Sequence, residues 1–215
     1  MIWPSAIEDA AGRLLRLDDR MLWRVRSSVE ERTAYLTFDD GPVPGITPWV
    51  LDTLKELDVK ATFFCIGRNI AANPGLFQRL KDEGHGVGNH TWGHGDGWRT
   101  APRPWYREVL ACQELTGTDL FRPPYGRITG RQLAALRPRF RVVMWDVLAH
   151  DYEDGWTDAQ RIAITVRRVR PGSIIVFHDS VKCAARMRAS MPGIVERLKM
   201  SDWRFAALPG ATSVR

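Results

Sequence analysis

Four short segments hold residue types able to do chemistry together. TFDDGP (37–42) sets Asp39 and Asp40 side by side at the end of an apolar run, just before a Gly-Pro turn. Adjacent buried carboxylates repel one another and lose hydration, so they need a cation or hydrogen-bond donors. A solvated turn would use the same residue types. HTWGH (90–94) adds His90 and His94, whose spacing of four puts both rings on one face of a helical turn, where they can chelate one ion. One carboxylate with two imidazoles leaves coordination positions open, as in a catalytic rather than a structural metal site. FRPPYG (121–126) supplies the guanidinium of Arg122, then two prolines that stiffen the backbone and aim the Tyr125 amide at a fixed point. A fixed amide donor is what a developing oxyanion requires. IIVFHDS (174–180) ends an apolar run in His178–Asp179, a pair suited to an oriented general acid and equally to a capping aspartate beside a structural histidine.

These segments need a scaffold that brings strand ends together. Apolar strand-like runs fall at 33–40, 60–67, 85–91, 119–124, 139–147, 172–179 and 203–208. Between them, apolar residues recur at three and four over 47–57, 75–83, 104–115, 129–136, 158–169 and 187–199, as in Trp49, Val50, Leu54 and Leu57. Thr157–Asp158 reads as a helix start and Gly84 as a stop. Runs such as Ile174–Phe177 are continuously apolar, which fits strands covered on both faces of a parallel sheet. The alternation predicts an α/β fold, either an incomplete barrel or a doubly wound sheet, with its site at the C-terminal strand edge. Asp39–Asp40, Asn89–His90, Arg122, Asp146 and His178–Asp179 all fall at predicted strand ends. His178 is expected on the wall opposite Asp39, kept protonated by a carboxylate such as Asp151 or Asp146. Residues 1–32 form an extension whose apolar residues interleave with Arg13, Arg16, Arg20, Arg24 and Arg26. It reads as a helix or edge strand packing on the barrel, with peripheral membrane association as the alternative.

In this order and context, TFDDGP, HTWGH, RPPYG and IIVFHD resemble the polysaccharide deacetylase family, also called carbohydrate esterase family 4, over about residues 33–208. The resemblance implies a distorted (β/α) barrel of seven strands, a single catalytic domain over 33–215, and hydrolysis of acetyl groups on sugars. By motif, Asp39 resembles the catalytic base, and Asp40, His90 and His94 resemble the metal ligands. Arg122 resembles the residue that orients the base, the Tyr125 amide the oxyanion donor, and His178 the general acid. The family's fourth motif, Asp-x-x-Asp-Trp, is altered in WDVLAHDY (145–152): Asp151 is retained, whereas Leu148 and Tyr152 replace the first aspartate and the tryptophan. Asp146 is a candidate substitute for the missing carboxylate. Trp92, Trp98, Trp145 and Trp156 lie near the motifs and offer flat faces either to sugar rings or to the core.

The implied cofactor is a divalent metal, zinc first by ligand type, with cobalt and nickel as alternatives. The implied partner is an acetylated sugar or glycoconjugate. A small non-sugar amide is the rival substrate, and a catalytically silent sugar-binding protein is the rival outside enzymology. With 44% hydrophobic and 26% charged residues the chain has a globular composition, not a disordered one. Its net charge of +6 is scattered rather than clustered, so no nucleic-acid site is expected. No apolar run is long enough to cross a bilayer. The first residues lack a secretory pattern, and three cysteines make no disulfide framework, so a cytoplasmic location is expected.

Overall fold

Apolar runs set where the strands form, and turn chemistry sets where they stop. The computed structural model describes residues 21–26 and 31–210. Its strands are β1 (Met21–Leu22), β2 (Thr33–Asp39), β3 (Thr62–Cys65), β4 (Gly86–Asn89), β5 (Leu120–Phe121), β6 (Arg141–Val143), β7 (Val147–Leu148), β8 (Ile174–His178) and β9 (Arg204–Phe205). The helices are α1 (Thr47–Glu56), α2 (Gly67–Ala72), α3 (Pro74–Asp82), α4 (Pro102–Thr116), α5 (Gly130–Leu136), α6 (Asp158–Arg168) and α7 (Ala184–Lys199). α5 and α6 open on capping boxes, Thr129 with Gln132 and Thr157 with Gln160, each satisfying two otherwise orphaned N–H groups. α3 ends just before Gly84, at φ 76°, and α4 at Gly117, at φ 63°, conformations that glycine adopts without Cβ strain.

The strands run in the order β1-β6-β5-β4-β3-β2-β8-β7, with β9 alongside the start of β2, and all their pairings are parallel. The sheet curls into a distorted barrel. The chain beyond β1 meets the segment entering β8, where Val25 donates to the Gly172 carbonyl at 2.9 Å and Arg24 pairs with Ser173. Side chains alternate across the curl. Tyr35, Phe64 and Ile174 pack with Leu120, Val143 and Leu208 in one cluster, while Leu36, Phe63 and Ile175 pack in another that includes α1 and α7. A third cluster joins Phe121 and Val142 to Trp105 of α4 and Leu133 of α5.

Two expectations change. The run 139–147 is two strands, because Met144–Asp146 leave the sheet and the Asp146 carboxylate accepts from Ser173 Oγ and from the Ile174 N–H, both at 2.8 Å. Asp146 therefore sits at the start of β8, away from the C-terminal edge. With β1 added, nine strands are present among the described residues instead of seven. Most of the expected extension 1–32 lies outside the described residues. Of the described part, Met21 and Leu22 pair with Val142 and Val143 of β6.

Candidate active site

β2 and β8 are neighbours in register, Asp39 beside His178, so the two stand on adjacent strands and not on opposite walls. Beyond Asp39 the chain turns sharply, with Asp40 at φ 85°. Such a backbone costs a β-carbon-bearing residue about 1–3 kcal/mol, and surrounding contacts must hold it. Asn69 of α2 donates to the Asp40 carbonyl at 2.7 Å, and Ile66 donates to the Gly41 carbonyl at 2.9 Å. From the other side, buried Asp179 accepts the Gly41 N–H at 3.0 Å and the Thr47 hydroxyl. Only glycine fits there, since a Cβ on residue 41 would lie 2.1 Å from the Asp179 carboxylate. Burial, aided by the charge of Asp40, outweighs these hydrogen bonds and pushes the Asp179 carboxyl up to about 8.

His90 and His94 reach the same point from the loop after β4. This loop is not a helical turn: Thr91 and His94 take left-handed backbones at φ 65° and 64°. Gly67 and Arg68, at the start of α2, donate to the Thr91 and Trp92 carbonyls at 2.9 and 3.0 Å. Glu108 of α4 accepts the N–H groups of Gly93 and Gly95, on either side of His94, at 3.1 and 3.2 Å. Burial pushes the His90 ring down to about 4, which keeps it neutral as a ligand must be. Its Nδ1 lies 2.8 Å from the Arg122 carbonyl, an acceptor only, so Nδ1 carries the hydrogen and Nε2 keeps its lone pair.

Asp40, His90 and His94 offer donor atoms all within 4.8 Å of one another. Asp40 Oδ1 lies 3.2 Å from His94 Nε2 and 3.8 Å from His90 Nε2, yet no hydrogen bond reaches it although it is buried. Burial opposes the charge on this carboxyl, but His94, His178 and His90 hold it well below the usual carboxylate range. An orphaned carboxylate oxygen between two imidazoles fits a bound divalent cation.

Arg122 is fully buried at the end of β5, its guanidinium 4.1 Å above the Phe64 ring. Nη1 donates to Asp39 Oδ1 at 2.7 Å and to Thr37 Oγ1 at 2.8 Å, and Nη2 donates to the Met144 carbonyl at 2.9 Å. Tyr125 follows the two prolines at φ 60°, its ring edge-on to His94 at 4.6 Å between centres. Across from these, His178 Nδ1 lies 2.9 Å from Asp151 Oδ1, and the His178 N–H donates to Asp151 Oδ2 at 2.6 Å. Burial works against a charge on His178, but Asp151, with smaller help from Asp40 and Asp39, raises the ring to about 9. Asp151 therefore supports the acid, whereas Asp146 is engaged elsewhere. Tyr152 packs edge-on to His178 at 5.7 Å, and Leu148 lies in β7 opposite Val176.

All eight residues singled out by motif thus converge on one strand edge. Asn69 and Glu108 were not legible as site residues, and Asp179, read as paired with His178, instead holds Gly41 and Thr47. Asp179 had its strand-end position as a signal, but the partners of all three come from segments distant in sequence.

The family model for polysaccharide deacetylase matches residues 26–138. A peptidoglycan-N-acetylglucosamine deacetylase of Listeria monocytogenes is 34% identical over 183 residues, which are 80% of this chain and 37% of that protein. The chain thus spans little more than a third of that relative's length. A chitooligosaccharide deacetylase of Bradyrhizobium sp. is 39% identical over 157 residues, covering 69% of this chain and 71% of that one. A crystal structure of a peptidoglycan N-acetylglucosamine deacetylase superposes with a TM-score of 0.83 at 27% identity, over 97% of this chain and 96% of that chain. Family model, relatives and fold agree, and the chain belongs to the polysaccharide deacetylase family.

Proposed function

We propose that the chain is a metal-dependent hydrolase that removes N-acetyl groups from the N-acetylglucosamine units of a carbohydrate. Its main support is one geometric fact: the Asp40–His90–His94 cluster is flanked by a carboxylate tied to a buried arginine and by a histidine charged by a buried aspartate. A divalent cation held by those three residues, zinc first by ligand type, would polarise the acetyl carbonyl and acidify a bound water to a pKa of about 7.

The remaining steps belong to the chain's own side chains and backbone. Arg122 ties down Oδ1 of Asp39, and Asp39 Oδ2 lies 4.0 Å from His90 Nε2, at the cluster. Asp39 takes the proton of the attacking water. The Tyr125 N–H donates to the oxyanion as the carbonyl carbon becomes tetrahedral. His178, bonded through Nδ1 to Asp151, gives its Nε2 proton to the departing nitrogen, and the C–N bond breaks. Base and acid thus begin in opposite protonation states, as the chemistry requires. A silent sugar binder has no use for an acid charged by a buried carboxylate, and the relatives favour a glycan over a small amide.

The test is acetate release from N-acetylated sugars and simple amides, using chelated protein and protein reloaded with zinc, cobalt or nickel. Turnover is expected only after reloading, and on the sugars. Full activity in metal-free protein, or preference for simple amides, would overturn the proposal.

A further inference from the structure

A buried thiol usually serves as a small apolar side chain. Cys183 is buried, yet the groups around it are polar metal donors. Its sulfur, a carboxylate oxygen of Asp151 and a ring nitrogen of His178 all lie within 4.8 Å of one another. Among the described residues this is a second point, besides the Asp40–His90–His94 cluster, where three such donors meet. The three come from separate elements. Asp151 follows β7, His178 ends β8, and Cys183 stands at the entry to α7, its N–H donating to the Ser180 carbonyl at 3.1 Å. Arg186, in the first turn of α7, fastens this corner. Its Nε donates to the Asp151 carbonyl at 2.7 Å, Nη1 to Asp154 Oδ1 at 2.6 Å and Nη2 to the Lys182 carbonyl at 3.0 Å. Donors held in this way need little rearrangement to close on an ion.

Carboxylate, imidazole and thiolate together suit zinc or cadmium, and a thiolate disfavours the hard cations magnesium and calcium. We infer that Asp151, His178 and Cys183 form a second, inhibitory site for a soft divalent cation such as zinc. An ion bound there takes away the proton donor itself. On His178 Nε2 it leaves that atom no proton to give. On Nδ1 it displaces the bond to Asp151, and the Nε2–H of the metal-bound ring is a weaker acid than an imidazolium. Filling the site releases the thiol proton and one ring proton to water, so it should fill after the Asp40–His90–His94 cluster. The effect on turnover rests on the deacetylase reading; the binding does not.

The experiment takes the metal-loaded protein through a series of buffered free zinc concentrations. It measures bound zinc, acetate release from an N-acetylglucosamine oligomer, and hydrolysis of an aryl acetate, whose phenolate leaves without an acid. The unaltered protein should bind two ions. Its acetate release should fall about tenfold at a free zinc ten times the second Kd, with a much smaller fall on the aryl acetate. Cys183→Ser and Cys183→Ala should bind one ion and keep their acetate release as zinc rises. Cadmium added to the zinc-loaded protein should give an ultraviolet thiolate-to-cadmium charge-transfer band that both variants lack. A single ion bound by the unaltered protein, or a cadmium band of equal size in the variants, overturns the second site. Equal zinc inhibition in the variants, or an equal loss on the aryl acetate, overturns inhibition through His178. If no acetate is released at any zinc concentration, the deacetylase reading itself fails, and zinc stoichiometry with the cadmium band still decides the site.

Discussion

His178 shows how one residue can be poised by two opposed effects. Burial disfavours its charge, Asp151 restores it, and the result is a ring that keeps its proton up to about pH 9. Because the folded-state value is raised, the ion pair stabilises the fold fully below the ordinary histidine range, and that contribution fades as pH rises through about 9. Catalysis follows the same sign. Amide turnover should fall as pH rises through that region, or somewhat lower in the loaded enzyme, where the cation offsets the pull of Asp39 and Asp40. Asp151→Asn removes the strongest support and leaves the burial, so the alkaline limb of kcat should move to lower pH. A pH profile on an N-acetyl oligomer measures this, and an unmoved limb would assign it to another group. Asp39→Asn should keep metal and fold but lose about 10²–10⁴-fold in kcat, since an amide cannot take the water proton. Metal content and kcat measured on the same sample check it; near-normal turnover would mean that base and ligand have been exchanged. The meeting of Asp39, Asp40, His90, His94, Arg122, Tyr125 and His178 was legible because they fall in short motifs at strand ends. Asp179 was harder to read. Its carboxylate matters through Gly41 and Thr47, more than 130 residues away, a contact that spacing within a motif does not encode.

At the scale of elements, the segment that carries the two histidines departs most from the sequence reading. A spacing of four implied a helical turn, whereas the chain uses a loop with left-handed backbones at Thr91 and His94. Much of what replaces the helical hydrogen bonds comes from outside the loop, namely the first N–H groups of α2 on the Thr91 and Trp92 carbonyls and Glu108 of α4 on the amides of Gly93 and Gly95, while Gly95 also donates to Thr91 Oγ1 within it. Neither was visible beforehand. α2 buries only Gly67 and Ile70, too few apolar positions to show a period, and Glu108 resembles any solvated helix residue in sequence. The split of 139–147 into β6 and β7 was hidden for a related reason, since the apolar run continues through Met144 while Asp146 pulls the backbone out of line. The loop's dependence on Glu108 can be tested. Glu108→Ala leaves the Gly93 amide without its acceptor and the Gly95 amide with Thr91 Oγ1 alone, at a cost of about 1–3 kcal/mol if Gly93 stays dry. The loosened His94 should then bind metal roughly 10–100-fold more weakly, with kcat at saturating metal much less affected. Competition with a chromophoric chelator measures the affinity; an unchanged value would show that the loop holds its shape without α4.

The whole molecule joins these parts through one curled sheet, and a cation would act on its stability as well as its chemistry. Asp40 leaves β2 and His90 leaves β4, so one ion at the cluster would tie together two strand ends separated by β3. In the unfolded chain those ligands are fifty residues apart and offer no preformed site. Binding to the folded state alone adds RT ln(1 + [L]/Kd), about 2.7 kcal/mol at a hundredfold excess over Kd. For a chain of this size each kcal/mol moves Tm by about 2–4 °C, so saturating zinc should raise Tm by about 5–10 °C over the chelated protein. The rise should grow with the logarithm of free zinc above Kd, as linkage requires. His94→Ala should remove most of it, because one carboxylate and one imidazole remain. Alanine keeps a Cβ at this left-handed position, so the backbone strain is unchanged and the chelated variant should melt close to the chelated parent. Thermal melts of parent and variant across a series of buffered zinc concentrations separate these effects. A zinc-dependent rise of equal size in His94→Ala would place the ion elsewhere, and no rise in the parent would leave the Asp40–His90–His94 cluster without a cation.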